Sequence, residues 1–197
     1  MGKRSPLIAS TTRQVEANGL TRPALHNQVT SGLLARAERG VYRFTTFPPS
    51  DREREAIVLL WAGADTAVPA AFSHETALRH YDLTDAFPEK LHLTVPTRFR
   101  KRPAPDVALH RADLAPEDVR HEGLLAYTTP ARTFLDIVAT SFPLEPLREA
   151  YRHALDLGLL RARTLTDDAE RVRAYLARVP GRSQALRGRL AQLVEAT

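Results

Sequence analysis

The chain has 197 residues, 43% of them hydrophobic and 26% charged, and a formal net charge of +5. That composition supports a buried core in one large or two small domains. The absence of cysteine excludes disulfides, thiolate zinc sites and a cysteine nucleophile, and no apolar run reaches the length of a membrane span. The opening MGKRSPLIAS has too short an apolar segment for a secretory signal, so a cytoplasmic protein without membrane attachment is expected.

Charge is unevenly placed. Residues 1 to 43 hold seven basic residues (Lys3, Arg4, Arg13, Arg22, Arg36, Arg39, Arg43) against Glu16 and Glu38, a net +5, while the other 21 basic and 21 acidic residues cancel. Arginine abundance can reflect GC-rich coding; its distribution is the better evidence. A local positive excess is the footprint that phosphate binding requires.

The first eight residues leave room for only a short lead-in. Arg13 to Leu20 reads as a helix closed by a turn at Gly19. A second helix follows over 21–31: Thr21 caps it, Pro23 sits in its first turn, and Ser31-Gly32 stops it. Leu25 and Val29 share its inner face, with Leu20 and Leu33 closing the seam. At 100° per residue the side directly opposite carries Ala24, Asn27 and Thr30, flanked by His26, Gln28 and Ser31. This polar face without a carboxylate suits base edges and phosphates in a major groove. The run LLARAERGVYRF then reads as a β-hairpin wing turning at Glu-Arg-Gly. Leu34, Ala35, Val41 and Phe44 are expected inward, with Arg36, Arg39 and Arg43 directed at phosphates. The candidate DNA-binding set is Arg13, Thr21, Arg22, His26, Asn27, Thr30, Arg36, Arg39 and Arg43.

Thr45 to Ser50, with Pro48-Pro49, cannot continue a central strand and reads as a linker. An apolar helix from Asp51 is expected to open a second domain, with Ala56, Leu59, Leu60 and Ala64 at helical spacing and Trp61 in the core. The segment AAFSHETALRHYDL gives a helix capped by Ser73, with Glu75 in its first turn. His74 and His80, six apart, would not share a metal. Strands at 91–96 and 107–111 flank a basic connection (Arg98, Arg100, Lys101, Arg102) that reads as a solvated hairpin tip. An acidic segment, 113–122, comes next. GLLAYTTPARTFLDIVAT is a strand and then a buried helix capped by Thr129, with Pro130 in its first turn. Arg132 and Asp136, four apart, are expected to form a surface pair of about 0.3–0.5 kcal/mol. Helices at PLREAYRHALDLGLL, 166–179 and 183–195 complete a helical tail.

No catalytic constellation stands out. The seven histidines form no HExxH or HxH pattern, Glu89 and Lys90 are adjacent and would diverge on a strand, and the nine glycines make no phosphate loop. A binding protein with no enzymatic activity, metal or cofactor is expected. The fold class is α+β: a small N-terminal winged helix-turn-helix at 1–47, a linker at 48–52, and a mixed α/β C-terminal domain at 53–197 ending in a helical tail.

In order and spacing, Gly19, the helix at 21–32, RGVYRF (39–44), SHETAL (73–78), LHLTVP (91–96) and YTTPARTFLDI (127–137) resemble the AbiEi antitoxins of type IV toxin-antitoxin systems. The resemblance spans roughly residues 9–160; the tail beyond matches little. It implies a winged helix-turn-helix that represses its own operon at inverted repeats in double-stranded DNA. It also implies a C-terminal domain opposing a nucleotidyltransferase-like toxin, with a role in phage defence. The alternatives are a stand-alone winged-helix regulator and a metal-dependent nuclease.

Overall fold

The computed structural model describes residues 9–48, 52–63, 70–161, 165, 175 and 183–195. The architecture is α+β and divides into two units, one of residues 1–68 with 123–125, the other of 69–122 with 126–197.

In the first unit, β1 (Ala9–Thr11) runs directly into α1 (Thr12–Ala17). Thr11 makes the junction: its hydroxyl accepts from the Gln14 amide at 3.2 Å and its own amide donates to Gln14 Oε1 at 2.9 Å. This reciprocal capping box satisfies two amide donors that the helix start leaves over. Gly19, at φ +87°, reverses the chain in a conformation that costs glycine little. The turn delivers Thr21, whose hydroxyl caps α2 (Arg22–Thr30) at the Ala24 amide. The wing is β2 (Leu34–Glu38) and β3 (Val41–Phe44), antiparallel, with a bulge between Arg36 and Glu38. β1 pairs with the other edge of β3, so the strand order is β1-β3-β2. Val15, Leu25 and Leu34 form the core of the helix face, with Leu20, Val29, Tyr42 and Phe44 packed against them.

The helix expected to open the second domain belongs instead to the first unit. This helix, α3 (Glu53–Ala62), lies against all three strands of the small sheet. Two ion pairs fasten it there, Arg43 Nε to Glu53 Oε1 at 2.7 Å and Arg54 Nη1 to Glu38 Oε1 at 2.9 Å. The unit boundary is at 68/69 rather than within 48–52. The last strand of the wing ends at Phe44, and the chain still owes the sheet a cover for its second face.

The second unit is built on a five-stranded sheet of order β6-β5-β4-β8-β7. Its strands are β4 (Ala71–Phe72), β5 (Leu91–Val95), β6 (Val107–Arg111), β7 (Val119–Glu122) and β8 (Leu125–Thr128). β5 is antiparallel to β4 and parallel to β6; β4 is parallel to β8. Helices α4 (His74–His80), α5 (Pro130–Val138), α6 (Leu144–Asp156) and α7 (Ser183–Val194) complete the unit. α7 packs on α5 and α6, and Arg189 donates to the carbonyls of Val138 and Phe142 at 3.0 and 2.6 Å. The expected helix at 166–179 lies outside the described residues except at Tyr175.

Three local expectations are corrected. Ser73 and Thr129 stand at helix N-caps, yet neither side chain caps its helix: Ser73 Oγ is occupied by His74 and Thr94, and Thr129 Oγ1 is buried with no hydrogen-bond partner among the described residues. Arg132 and Asp136 are not a surface pair. Every residue of α5 is buried, and Arg132 reaches Asp136 through Nε and Asp118 through Nη1, both at 2.9 Å. Asp118 ends a 3-10 turn that sequence spacing does not connect to Arg132. The Arg132 guanidinium also lies 5.1 Å from the Tyr175 ring centroid. Burial pushes the Asp136 carboxyl up to about 6, against the pull of Arg132.

Arg132 therefore compensates two buried carboxylates. Arg132→Ala is expected to destabilise the second unit by about 3–5 kcal/mol in urea titration, since both acids lose their partner. Arg152→Ala, which removes an exposed 4.0 Å pair with Glu145, should stay within about 0.5 kcal/mol of the parent.

Candidate nucleic-acid interface

α2 presents Arg22, His26, Asn27 and Thr30 to solvent while Leu25 is buried and Val29 half-buried. Ala24, expected at the centre of the outer face, is half-buried, as is Gln28. Packing against α1 and β2 widens the inner side of α2 and turns the exposed arc toward Arg22 and His26. The arc is ordered by its own hydrogen bonds. Thr21 caps the helix, Thr30 Oγ1 donates to the His26 carbonyl at 3.0 Å, and Ser31 Oγ donates to the Gln28 carbonyl at 3.1 Å. Thr30 keeps lone pairs for an outside donor. Arg22 contacts Glu16 at 3.0 Å, but its side chain is 84% exposed, and so open a pair holds the guanidinium weakly.

The predicted wing arginines separate into two groups. Arg36 is exposed beside α2, where it lines a concavity of about 360 Å³ with Thr12, Arg22, Leu25, His26, Val29 and Tyr42. Arg39 is exposed at the hairpin turn, next to Gly40 at φ +80°. The Gly40 carbonyl accepts from both the amide and the hydroxyl of Thr12, which ties the tip of the wing to the start of α1. Arg13, on α1, is also exposed. Among the described residues, no anionic partner is seen for Arg13, Arg36 or Arg39.

Arg43 departs from expectation. Side chains alternate across a strand, and Tyr42 and Phe44 face the helix core, so Arg43 faces α3. There it donates to Glu53 and to the Phe47 carbonyl at 3.2 Å. Glu38 also faces α3, because the bulge after Arg36 inserts one residue and switches the face of those that follow. The concavity brings together residues that the sequence had not grouped, chiefly Thr12 and Tyr42. The signal for Tyr42 was its pairing with Arg36, which requires the hairpin register.

Residues 11–45 match the protein family described as transcriptional regulator, AbiEi antitoxin. The matched span runs from the capping Thr11 to the residue after β3. Among solved structures, the chain is similar in fold to the RV2827C protein from Mycobacterium tuberculosis, with a TM-score of 0.63 and 17% identity, covering 98% of this chain and 73% of that one. No curated protein matches the chain. No helix of the described residues is long and apolar enough to cross a membrane.

The two groups of arginines should respond differently to truncation. Arg43→Ala leaves Glu53, itself only 9% exposed, without its partner, and should cost the first unit about 1–3 kcal/mol in thermal or urea unfolding. Arg39→Ala should change stability by less than about 0.5 kcal/mol.

Proposed function

We propose that this chain, whose residues 11–45 match the AbiEi-type transcriptional regulators, is a DNA-binding antitoxin that represses its own operon and opposes a nucleotidyltransferase-like toxin. The observation that carries the DNA-binding half is the exposed arc Arg22, His26, Asn27 and Thr30 on a capped helix, set beside Arg36, with Arg13 and Arg39 exposed on α1 and at the wing turn. In this reading α2 enters the major groove, where His26, Asn27 and Thr30 meet base edges and Arg22 meets a base or phosphate. Thr21 holds the start of α2 and offers its amide region to the backbone. Arg13, from α1, and Arg36 and Arg39, from the wing, neutralise phosphates on either side. The chain acts by binding rather than by chemistry, and inverted repeats in its own promoter are the expected target. Opposition to a toxin rests on the family likeness of the N-terminal module; no residue of the second unit is assigned to it.

The deciding experiment is a gel-shift titration against the chain's own upstream region and a scrambled duplex at two salt concentrations. Salt-sensitive preference for the upstream region is expected; equal, weak binding to both would remove the operator from the proposal. Arg36→Ala combined with Arg39→Ala should weaken binding to both duplexes and lower the slope of log K against log salt by about 2, near 0.9 for each phosphate no longer neutralised. Asn27→Ala should cost about 1–3 kcal/mol on the upstream region alone, with the slope unchanged. Toxin opposition is tested separately: a nucleotidyltransferase-like reading frame immediately downstream is expected, and co-expression with it should rescue growth.

A further inference from the structure

Three histidines far apart in sequence converge on one face of the large sheet. His92 on β5 and His110 on β6 are diagonal neighbours, since β5 and β6 pair His92 with Ala108 and Thr94 with His110. Their Nδ1 and Nε2 atoms lie 3.0 Å apart. His74, the first residue of α4, stacks its ring on His110 with centroids 3.6 Å apart. One nitrogen from each of the three falls within 4.8 Å of the others. Two imidazoles bound to one tetrahedral zinc ion hold their nitrogens about 3.3 Å apart, close to the His92–His110 separation, and His74, stacked on His110, joins them on turning its ring about its side-chain torsions.

The remaining nitrogens are already held from behind. Ser73 Oγ is 2.9 Å from His74 Nδ1 and itself accepts from Thr94 Oγ1 at 2.7 Å. Glu75 Oε2 is 2.7 Å from His92 Nε2. These contacts engage His74 Nδ1 and His92 Nε2 and leave the other ring nitrogens to the cluster, where His92 Nδ1 and His110 Nε2 point at each other and His74 is stacked on His110. A carboxylate behind a ligating histidine is the usual support of a metal-bound imidazole. His74 takes φ +52°, a conformation uncommon for a residue with a side chain, and in doing so joins the other two rings.

We propose that His74, His92 and His110 bind a divalent transition-metal ion of the zinc class, with Ser73 and Glu75 as the groups that orient the ligands. Three protein nitrogens leave at least one coordination position for water or another ligand. Burial holds all three imidazoles toward the neutral, ligating form: His110 is lowered to about 4, His74 well below its usual value, and His92 downward against the opposing pull of Glu75. The His92 side chain is 19% exposed, and with Glu75 it borders an open concavity of about 430 Å³. His80 takes no part, because its ring stacks on Tyr127 and its Nε2 pairs with Glu122.

The test uses the full chain after treatment with a chelator and dialysis. Zinc is titrated against a chromophoric chelator, and cobalt is followed by visible absorption, which reports its coordination. One equivalent per chain, with four- or five-coordinate cobalt bands, is expected. His110→Gln should weaken zinc by at least about tenfold, and Glu75→Gln by about 10–100-fold while leaving all three ligands in place. Exposed His153→Gln should leave affinity unchanged. The partly exposed His92→Ala provides a second ligand variant if His110→Gln does not fold. Absence of saturable binding in the parent would overturn the proposal, as would affinity unchanged in the folded ligand variants; neither outcome bears on DNA binding by the first unit.

Discussion

The alternation of side chains along a paired strand is the constraint on which both units depend. In β3 it sends Tyr42 and Phe44 to the helix-turn-helix core and Arg43 to α3. In β5 and β6 it sends Leu93 and Val95 into the apolar interior and aligns His92, Thr94 and His110 on the other face. A one-residue change of register exchanges these roles. The bulge between Arg36 and Glu38 makes such a change once, and thereby leaves Arg36 beside α2 while giving Glu38 to Arg54.

Local signals made the reading module legible in the sequence. Thr21, Pro23, Gly19 and the Ser31-Gly32 stop act within a few residues of themselves, and all appear where the sequence puts them. The fate of the wing arginines was not legible, because it depends on a bulge and on a helix not yet assigned to the sheet. The proline-rich stretch after the wing reads as a linker, yet the first unit continues past it through α3. The apolar surface of α3, buried nearly all round, gives no sign of which sheet it covers.

In the second unit the pairs near in sequence were visible and their third members were not. Spacing found Arg132 with Asp136, but a four-residue interval says nothing of depth, and Asp118 arrives from a separate turn. A buried guanidinium shared by two carboxylates is a different object from a solvated helix pair: removing one partner strands a charge that water cannot reach. The histidines show the same limit. His74 and His80 share a short helix and go to different neighbours, whereas His74, His92 and His110 meet only after β5 and β6 are aligned in parallel. A search for metal spacing along the chain cannot see ligands supplied by two strands and a helix start.

Adding α3 to the first unit also changes its charge. Residues 44 to 68 contribute Arg52 and Arg54 against Asp51, Glu53, Glu55 and Asp65, which lowers the +5 of residues 1–43 to +3. Composition alone then speaks less strongly for phosphate binding than it first did. Placement restores it. Glu53 is buried against Arg43, and α3 lies on the sheet opposite the helix-turn-helix core, away from α2. On the helix side the described carboxylate is Glu16, held loosely by Arg22; Arg36 lies beside α2, and Arg13 and Arg39 are exposed on α1 and at the wing turn. What a nucleic acid would meet is this one-sided field, and at separations within a Debye length of about 8–10 Å the distribution of charge over a face matters more than its sum over the domain.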